Sequence, residues 1–161
     1  MAFSVLILLL SVLGADPTAA EQSPPDGATC QLILDGQGIE KLVLERENRG
    51  TYTKDVTGPS LWLEPGRYRV LQVTLKGGFN HDARGEAEWF TLSSDEPHHL
   101  RAGAPLTPRV DVKRQGRLLN LDYRLVDAAG RRYRNTDRTH PPRFTISTGG
   151  QQIASGLFEY G

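Results

Sequence analysis

Two groups of polar side chains have the residue types that bind metal ions. Asn80, His81 and Asp82 follow two glycines in a predicted loop, and His98 and His99 lie on a second predicted loop. Imidazole nitrogens and carboxylate oxygens are ordinary metal ligands. Adjacent histidines on an extended chain point to opposite sides, however, and no spacing here matches a structural zinc site or a calcium loop. The sequence therefore predicts no metal site.

Hydrolytic chemistry would require an activated serine or a pair of carboxylates. Ser155 precedes Gly156, but the G-x-S-x-G context of a serine nucleophile is missing. Glu86 and Glu88 are two residues apart and are predicted to share one strand face, where two carboxylates can flank a substrate. Alternating charge is equally typical of a solvent-exposed strand. We therefore predict no catalytic residue, no cofactor and no enzymatic activity.

The densest basic stretch of the chain carries four arginines. They are Arg131, Arg132, Arg134 and Arg138. Tyr133 and His140 are interleaved with them. A guanidinium group binds carboxylate, sulfate or phosphate through paired hydrogen bonds and stacks on aromatic rings. The stretch predicts a patch for an acidic ligand, either a polysaccharide or a protein surface, and a solvated loop is the alternative.

Three further side chains favour a structural role. Trp62 and Trp89 could form a platform for sugar stacking, but both lie in apolar stretches, which predicts core packing. The single cysteine, Cys30, cannot form an intramolecular disulfide and begins an apolar stretch. We predict a half-buried thiol in a strand.

The charges are distributed unevenly although the formal net charge of the chain is zero. Residues 21–96 contain 8 Lys and Arg and 13 Asp and Glu, a net charge of −5, whereas residues 97–161 contain 11 and 5, a net charge of +6. A basic segment can bind nucleic acid, an anionic polysaccharide or an acidic protein. Mutual attraction between the two oppositely charged parts is the alternative.

The N-terminus has the layout of a secretory signal peptide. Residues 2–13 form an unbroken run of apolar and small residues, and further small residues follow it. The run is shorter than the roughly 20 residues of a membrane-spanning helix, so we predict cleavage after Ala20, with Gly14 as the alternative position. The signal peptide would be 1–20, followed by a Pro-containing flexible tether, 21–28. Export makes nucleic acid an unsuitable partner, and the mature chain is predicted to have no transmembrane segment.

The elements that must position these side chains are short β-strands. Apolar residues recur with a period of two, interrupted by Gly, Pro, Asn and Asp, as in antiparallel sheets. The alternation is longest at 119–125, which predicts a half-buried strand. Leu71 and Gln72 interrupt it and predict a bulge, and 147–152 is predicted to be a hairpin tip. No stretch of the mature chain keeps a helical period.

The turn-rich segment around Gly103 is the predicted internal boundary, because the apolar pattern and the charge balance both change there. It divides the chain into a β-sandwich unit, 29–101, and a second β unit, 102–161, which can pack as one domain with the first. Short alternating strands must bury their apolar faces against one another. The predicted fold is an all-β antiparallel sandwich, immunoglobulin-like or prealbumin-like.

Two stretches carry a family resemblance. Residues 61–70, with a Pro-Gly turn between two strands, resemble carboxypeptidase-regulatory-like and other prealbumin-like modules. The C-terminal part is similar to exported β-domain proteins of planctomycetes whose function is uncharacterised. The residues that carry the second likeness are 103–106, Tyr123, Gly130, Pro142, Phe144 and 158–161. These resemblances imply a bacterial envelope location and a β fold, and they bring no catalytic residue.

Together these features predict an exported bacterial protein, periplasmic or extracellular. Its predicted function is a non-catalytic binding or structural module of the cell envelope that recognises a protein partner through loops or a strand edge. A carbohydrate-binding or metal-binding accessory domain is the alternative, and an envelope polysaccharide is the alternative partner.

Overall fold

Thirteen β-strands make up the regular secondary structure of the described residues. The computed structural model describes residues 27, 29–83 and 85–159. The predicted signal peptide lies outside them, as does the predicted tether apart from Gly27. In chain order the strands are β1 Cys30–Leu34, β2 Ile39–Arg46, β3 Gly50–Asp55, β4 Ser60–Leu63, β5 Gly66–Leu75, β6 Phe79–Asp82, β7 Trp89–Leu92, β8 His98–Leu100, β9 Thr107–Gln115, β10 Leu118–Val126, β11 Arg132–Asn135, β12 Arg143–Thr148 and β13 Gln151–Leu157.

The strands form three sheets. One sheet has the order β4-β1-β8, and an eight-stranded sheet has the order β3-β2-β5-β6-β11-β10-β9, with β7 also paired to β5. β12 and β13 form a separate hairpin. The predicted all-β antiparallel sandwich is confirmed, with one parallel pair, β1 with β8. The described part of the chain includes no helix with the length and apolar character needed to cross a membrane.

The core is made by the alternating apolar residues of six of the first eight strands, namely β1, β2, β4, β5, β7 and β8, together with Ala102 and with Tyr133 of β11. Leu32, Leu42, Leu44, Tyr68 and Val73 are among its most completely buried members, each with less than 2% of its surface exposed. Alternate residues of a strand point to the same face, so the two-residue period of the sequence becomes a continuous apolar layer. Burying a leucine or valine side chain stabilises the fold by about 1.5–3 kcal/mol.

The Pro65–Gly66 turn connects two sheets. β4 belongs to the three-stranded sheet and β5 to the eight-stranded one, so the two strands joined by this turn do not pair with each other. The Tyr68 hydroxyl donates a hydrogen bond to the carbonyl oxygen of Glu64 at 2.7 Å. Such a bond, from a tyrosine early in a strand to backbone a few residues upstream, is the tyrosine corner of β-sandwiches. It fixes the angle at which the chain passes from one sheet to the other.

The bulge predicted near Leu71 and Gln72 is confirmed. Val43 pairs with Gln72 and the next residue, Leu44, pairs with Val70, so Leu71 has no partner on β2. A bulge places two residues opposite one and resets the alternation. Val70 and Val73 can therefore both face the core although they are three residues apart.

Strands from both sides of Gly103 belong to the eight-stranded sheet, because β11 pairs with β6. Tyr133 of β11 is buried, and its hydroxyl accepts the Gly103 amide at 3.2 Å and donates to Asp127 at 3.2 Å. Asp127 also accepts the backbone amides of Ala129, at 3.0 Å, and Arg131, at 2.9 Å. The carboxylate thus ties the turn after β10 to the core. The division into units 29–101 and 102–161 stays a prediction.

Candidate functional site

The β9–β10 hairpin extends the eight-stranded sheet beyond the core. Nine residue pairs join the two strands, and every residue of β9 is exposed. The half-buried strand predicted at 119–125 agrees with β10 at Leu121, Tyr123 and Leu125, whereas its outer end is exposed, because β11 pairs with Leu125 and Val126 alone. Leu119 is 50% exposed. The distal hairpin therefore has solvent on both faces and an unpaired edge along β9.

One face of this hairpin carries an apolar strip. We define the strip by Val110 and Val112 of β9 and Leu119 and Leu121 of β10. Val112 lies opposite Leu121, and side chains of directly opposed residues share a face. Val110 is 45% exposed and Val112 is 61% exposed. Contiguous exposed apolar residues of this kind are typical of an interaction surface.

The other face of the hairpin is charged. Arg124 binds Asp111 and also binds Asp122, the latter at 3.0 Å. Asp111 is therefore neutralised within the hairpin. Arg109 and Lys113 lie two residues to either side of Asp111 on the same face, and neither forms an ion pair with another described residue. The free edge of β9 thus presents two cations.

The four arginines of the predicted acidic-ligand patch separate into two roles. Arg131 is tied down, since its guanidinium donates to the Arg101 carbonyl and lies 3.5 Å from Asp127. Arg132 and Arg134 lie on the exposed face of β11, while Arg138 lies on the loop that follows. Arg134 forms no ion pair with any described residue. The structure thus brings three of the four together and uses Arg131 to hold a turn.

These three arginines line a cleft of about 720 Å³ between β10, β11 and the segment after β13. Its aromatic wall includes Tyr123 and Phe158, whose ring centroids are 5.0 Å apart at an interplanar angle of 33°. We call it the basic cleft and define it by the following lining residues: Tyr123, Arg132, Arg134, Arg138, His140 and Phe158. The aromatic wall was not predicted from the sequence.

The loop that carries Arg138 is ordered by side-chain hydrogen bonds to backbone. Asn135 accepts the amide of Asp137 at 2.9 Å, and Asp137 accepts the amide of Thr139 at 2.8 Å. These are two successive Asx turns. The Thr139 hydroxyl and amide hold the pKa of Asp137 below its usual range, because both donate to the carboxylate. The Thr136 amide donates to the Gly78 carbonyl at 3.0 Å, which anchors the loop to the main sheet.

The residues considered as metal ligands are on strands, and the predicted loops are wrong. Asn80, His81 and Asp82 belong to β6, while His98 and His99 belong to β8. His81 Nδ1 lies 3.0 Å from the Arg132 carbonyl oxygen, and His99 Nδ1 lies 3.0 Å from Asp35. The described residues hold no group of three or more His, Cys, Asp or Glu that could bind a metal ion.

His98 gives the fold a dependence on pH. Its ring stacks on Phe90 with centroids 4.5 Å apart, and burial together with the neighbouring His99 lowers its pKa, against a smaller opposing effect of Glu96. A lowered folded-state pKa stabilises the fold above about pH 6.5 and loses that contribution as pH falls. We expect His98→Gln to make the free energy of unfolding less dependent on pH between 7 and 5, as measured by urea denaturation.

His99→Gln separates the two causes, because His99 is exposed and acts on His98 only through its charge. It should reduce the pH dependence less than His98→Gln does, since burial is the larger cause of the lowered pKa of His98. Equal pH dependence in the wild type and His98→Gln would contradict the assignment to His98.

The candidate hydrolytic residues do not form a nucleophile with a base. Glu86 and Glu88 lie in the loop between β6 and β7, so the shared strand face predicted for them is wrong. They line a second cleft, of about 820 Å³, together with His81 and Arg132. Ser155 is on β13 opposite Thr145, outside both clefts.

The tryptophans and the cysteine also differ from expectation. Trp62 and Trp89 are half-buried and are not members of the core. The guanidinium of Arg69 lies 4.8 Å from the Trp89 ring centroid and that of Arg67 lies 5.7 Å from it, so cations cover this indole. Cys30, the first residue of β1, is 1% exposed and more deeply buried than predicted.

Comparison of the chain with protein-family models, curated proteins and solved structures found no match. The resemblances named for residues 61–70 and for the C-terminal part stay predictions.

Proposed function

We propose that this protein is an exported, non-catalytic recognition module that binds an extended segment of a protein partner along β9. One observation carries the proposal: β9 is the terminal strand of the eight-stranded sheet, and all of it is exposed. The unpaired backbone groups of an edge strand can pair with another chain. Strand addition obtains affinity from these main-chain hydrogen bonds and specificity from alternate side chains.

The side chains of β9 define the partner segment. Val110 and Val112 face one side of the sheet, and Arg109 and Lys113 face the other. An added strand that alternates apolar and acidic residues would continue the apolar strip on the first face. It would place carboxylates beside the two cations on the second. These cations are separated by four residues, about 13 Å along a strand, so a partner with acidic residues at every second position can meet both.

The same charges disfavour a second copy of β9 as the partner. Arg109, Lys113 and Arg114 outnumber Asp111, which is already paired with Arg124. Two copies of β9 would bring like net charges together, and charged residues on edge strands are a common defence against self-pairing. An acidic partner strand faces no such repulsion.

A peptide titration tests this proposal. The probe is a nine-residue peptide of alternating valine and glutamate, and its partner control alternates valine and lysine. We expect the acidic peptide to bind and to shift the amide NMR signals of β9. Reversing both edge charges, in Arg109→Glu with Lys113→Glu, should weaken binding about tenfold, since each exposed ion pair contributes roughly 0.2–1 kcal/mol.

The matched control is Arg49→Glu with Lys54→Glu, which changes the net charge equally near the opposite edge of the sheet. It should bind the acidic peptide within about twofold of the wild type. Equal binding of the two peptides, or signal changes away from β9, would overturn the proposal. Sedimentation equilibrium compares the wild type with the β9 double variant. A wild-type dimer that the double variant does not form would also overturn the proposal, in favour of self-association.

A further inference from the structure

We infer that the basic cleft is a separate binding site for an acidic polysaccharide, namely for a pyranose ring that carries a carboxylate or sulfate group. The cleft lies at the base of the β9–β10 hairpin, and none of its lining residues belongs to β9. It could therefore be occupied whether or not a partner strand is bound at the edge. Its volume of about 720 Å³ is within the range of roughly 300–1,000 Å³ that is typical of small-ligand sites.

The aromatic wall provides the surface on which a sugar ring would stack. Tyr123 and Phe158 are in contact, and the Phe144 ring lies 5.1 Å from that of Phe158. All three are half-buried, so each has a supported side and a part open to solvent. The Phe158 amide donates to the Pro142 carbonyl at 2.9 Å, which fixes the backbone that carries this ring against the residue before β12. A fixed aromatic surface provides apolar contact with little loss of conformational freedom on binding.

The arginines provide the charge recognition. Arg134 has no ion-pair partner among the described residues and lies opposite Asn80 on β6, so its guanidinium is not committed to a carboxylate. Arg132 lies 3.5 Å from Asp122 and donates a long hydrogen bond, 3.4 Å, to the Tyr123 carbonyl oxygen. A guanidinium fork matches the geometry of a carboxylate or sulfate. The lining also includes the carboxylates of Asp122 and Glu159, so its three arginines exceed the acidic side chains by one. An apolar ring surface beside this excess of cations suits an anionic sugar better than a neutral one.

The site is arranged before a ligand binds. The two Asx turns fix the backbone on either side of Arg138, and the bond from Thr136 to the Gly78 carbonyl fixes the loop against the sheet. β11 holds Arg132 and Arg134 on one side of the sheet, two residues apart. Because the elements that carry the cations are already ordered, binding need not supply the free energy to order them.

Calorimetric titration with defined oligosaccharides tests the inference. The probes are a sulfated heparin tetrasaccharide, a tetragalacturonate and neutral maltotetraose. We expect one or both acidic probes to bind and maltotetraose to show no measurable binding. Arg134→Ala should weaken the binding of the acidic probe about tenfold, and Tyr123→Ala should weaken it by a similar factor. Both residues lie outside the buried core, and circular dichroism checks that each variant is folded.

Arg117→Ala is the matched control, because it removes one exposed arginine of the same basic segment, in the turn between β9 and β10 and outside the cleft. It should change the affinity for the acidic probe less than twofold. Equal weakening by Arg117→Ala and Arg134→Ala would overturn the inference and leave only non-specific attraction by the basic segment. Equal binding of maltotetraose, or no binding of either acidic probe at millimolar concentration, would overturn it as well.

Discussion

Gly36→Ala is expected to lower the free energy of unfolding by about 3 kcal/mol or more, since it forces a methyl group into backbone atoms. An alanine Cβ at this position would lie 1.6 Å from the Ala102 carbonyl oxygen and 2.7 Å from the Ala102 carbonyl carbon. Both neighbours are main chain and cannot rotate aside. The segments around Gly36 and Ala102 are also joined by a hydrogen bond of 2.9 Å from the Gln37 amide to the Ala104 carbonyl oxygen. Moving the two segments apart to relieve the clash would break this bond.

Gly58→Ala is the matched control for Gly36→Ala. An added Cβ at Gly58 meets nothing within 4 Å, and its backbone is not in the left-handed region. Its unfolding midpoint in urea should equal that of the wild type or exceed it slightly, because alanine restricts the unfolded chain. If the two variants unfold at the same urea concentration, the close crossing at Ala102 does not constrain the fold.

Asp127→Ala is expected to lower the free energy of unfolding by about 3 kcal/mol, the second large effect. The carboxylate is 1% exposed and accepts hydrogen bonds from two backbone amides and from the Tyr133 hydroxyl. Alanine would leave these buried donors without an acceptor, and each unsatisfied donor costs about 1 kcal/mol or more. The loss is measured by chemical denaturation at neutral pH.

Two further variants, Asp127→Asn and Tyr133→Phe, separate the contributions of the individual hydrogen bonds to this loss of stability. The asparagine keeps an acceptor for the two amides, so its cost should be well below that of Asp127→Ala. Burial and the charge of Asp127 raise the pKa of Tyr133. The neutral hydroxyl of Tyr133 therefore stabilises the fold below about pH 10, and this contribution is lost as the pH rises further. Tyr133→Phe should therefore show a smaller alkaline loss of stability. A loss of the same size in all three variants would contradict the acceptor role.

The strands themselves could be predicted because the alternation of apolar and polar residues within each strand indicates which of its faces is buried. Leu32 and Leu34, two residues apart, are both buried on β1. The hairpin tip at 147–152 and the bulge at Leu71 were also visible, because turn glycines and a broken alternation are local signals.

Strand pairing could not be predicted in the same way. The Pro65–Gly66 turn has the local chemistry of a hairpin, but the partners of its two strands are elsewhere: β4 pairs with β1, and β5 pairs with β2. The parallel pairing of β1 with β8 joins residues such as Leu32 and His98, whose separation leaves no sequence pattern. Burial was overestimated at Leu119 of β10 for a related reason, since alternation shows that a face is apolar and does not show that anything covers it.

The candidate sites were visible only in part. A run of arginines is a local feature, so Arg132, Arg134 and Arg138 could be singled out from the sequence. The aromatic wall beside them joins Tyr123 to Phe158, which are brought together by the return of the chain after β13. Ion pairing could not be predicted either: Arg131 belongs to the same run of arginines, but it contacts the buried Asp127 and does not line the basic cleft.

The burial of Cys30 provides a built-in reporter of the opening of this fold. The chain has a single cysteine, and its thiol begins the middle strand of the three-stranded sheet, between β4 and β8. Because the thiol is buried and its residue pairs with Leu63 of β4, an alkylating reagent reaches the sulfur when this end of β1 opens, and the labelling rate of the native protein measures how often it does. Substitutions in the distal β9–β10 hairpin should leave that rate unchanged, whereas Gly36→Ala should raise it.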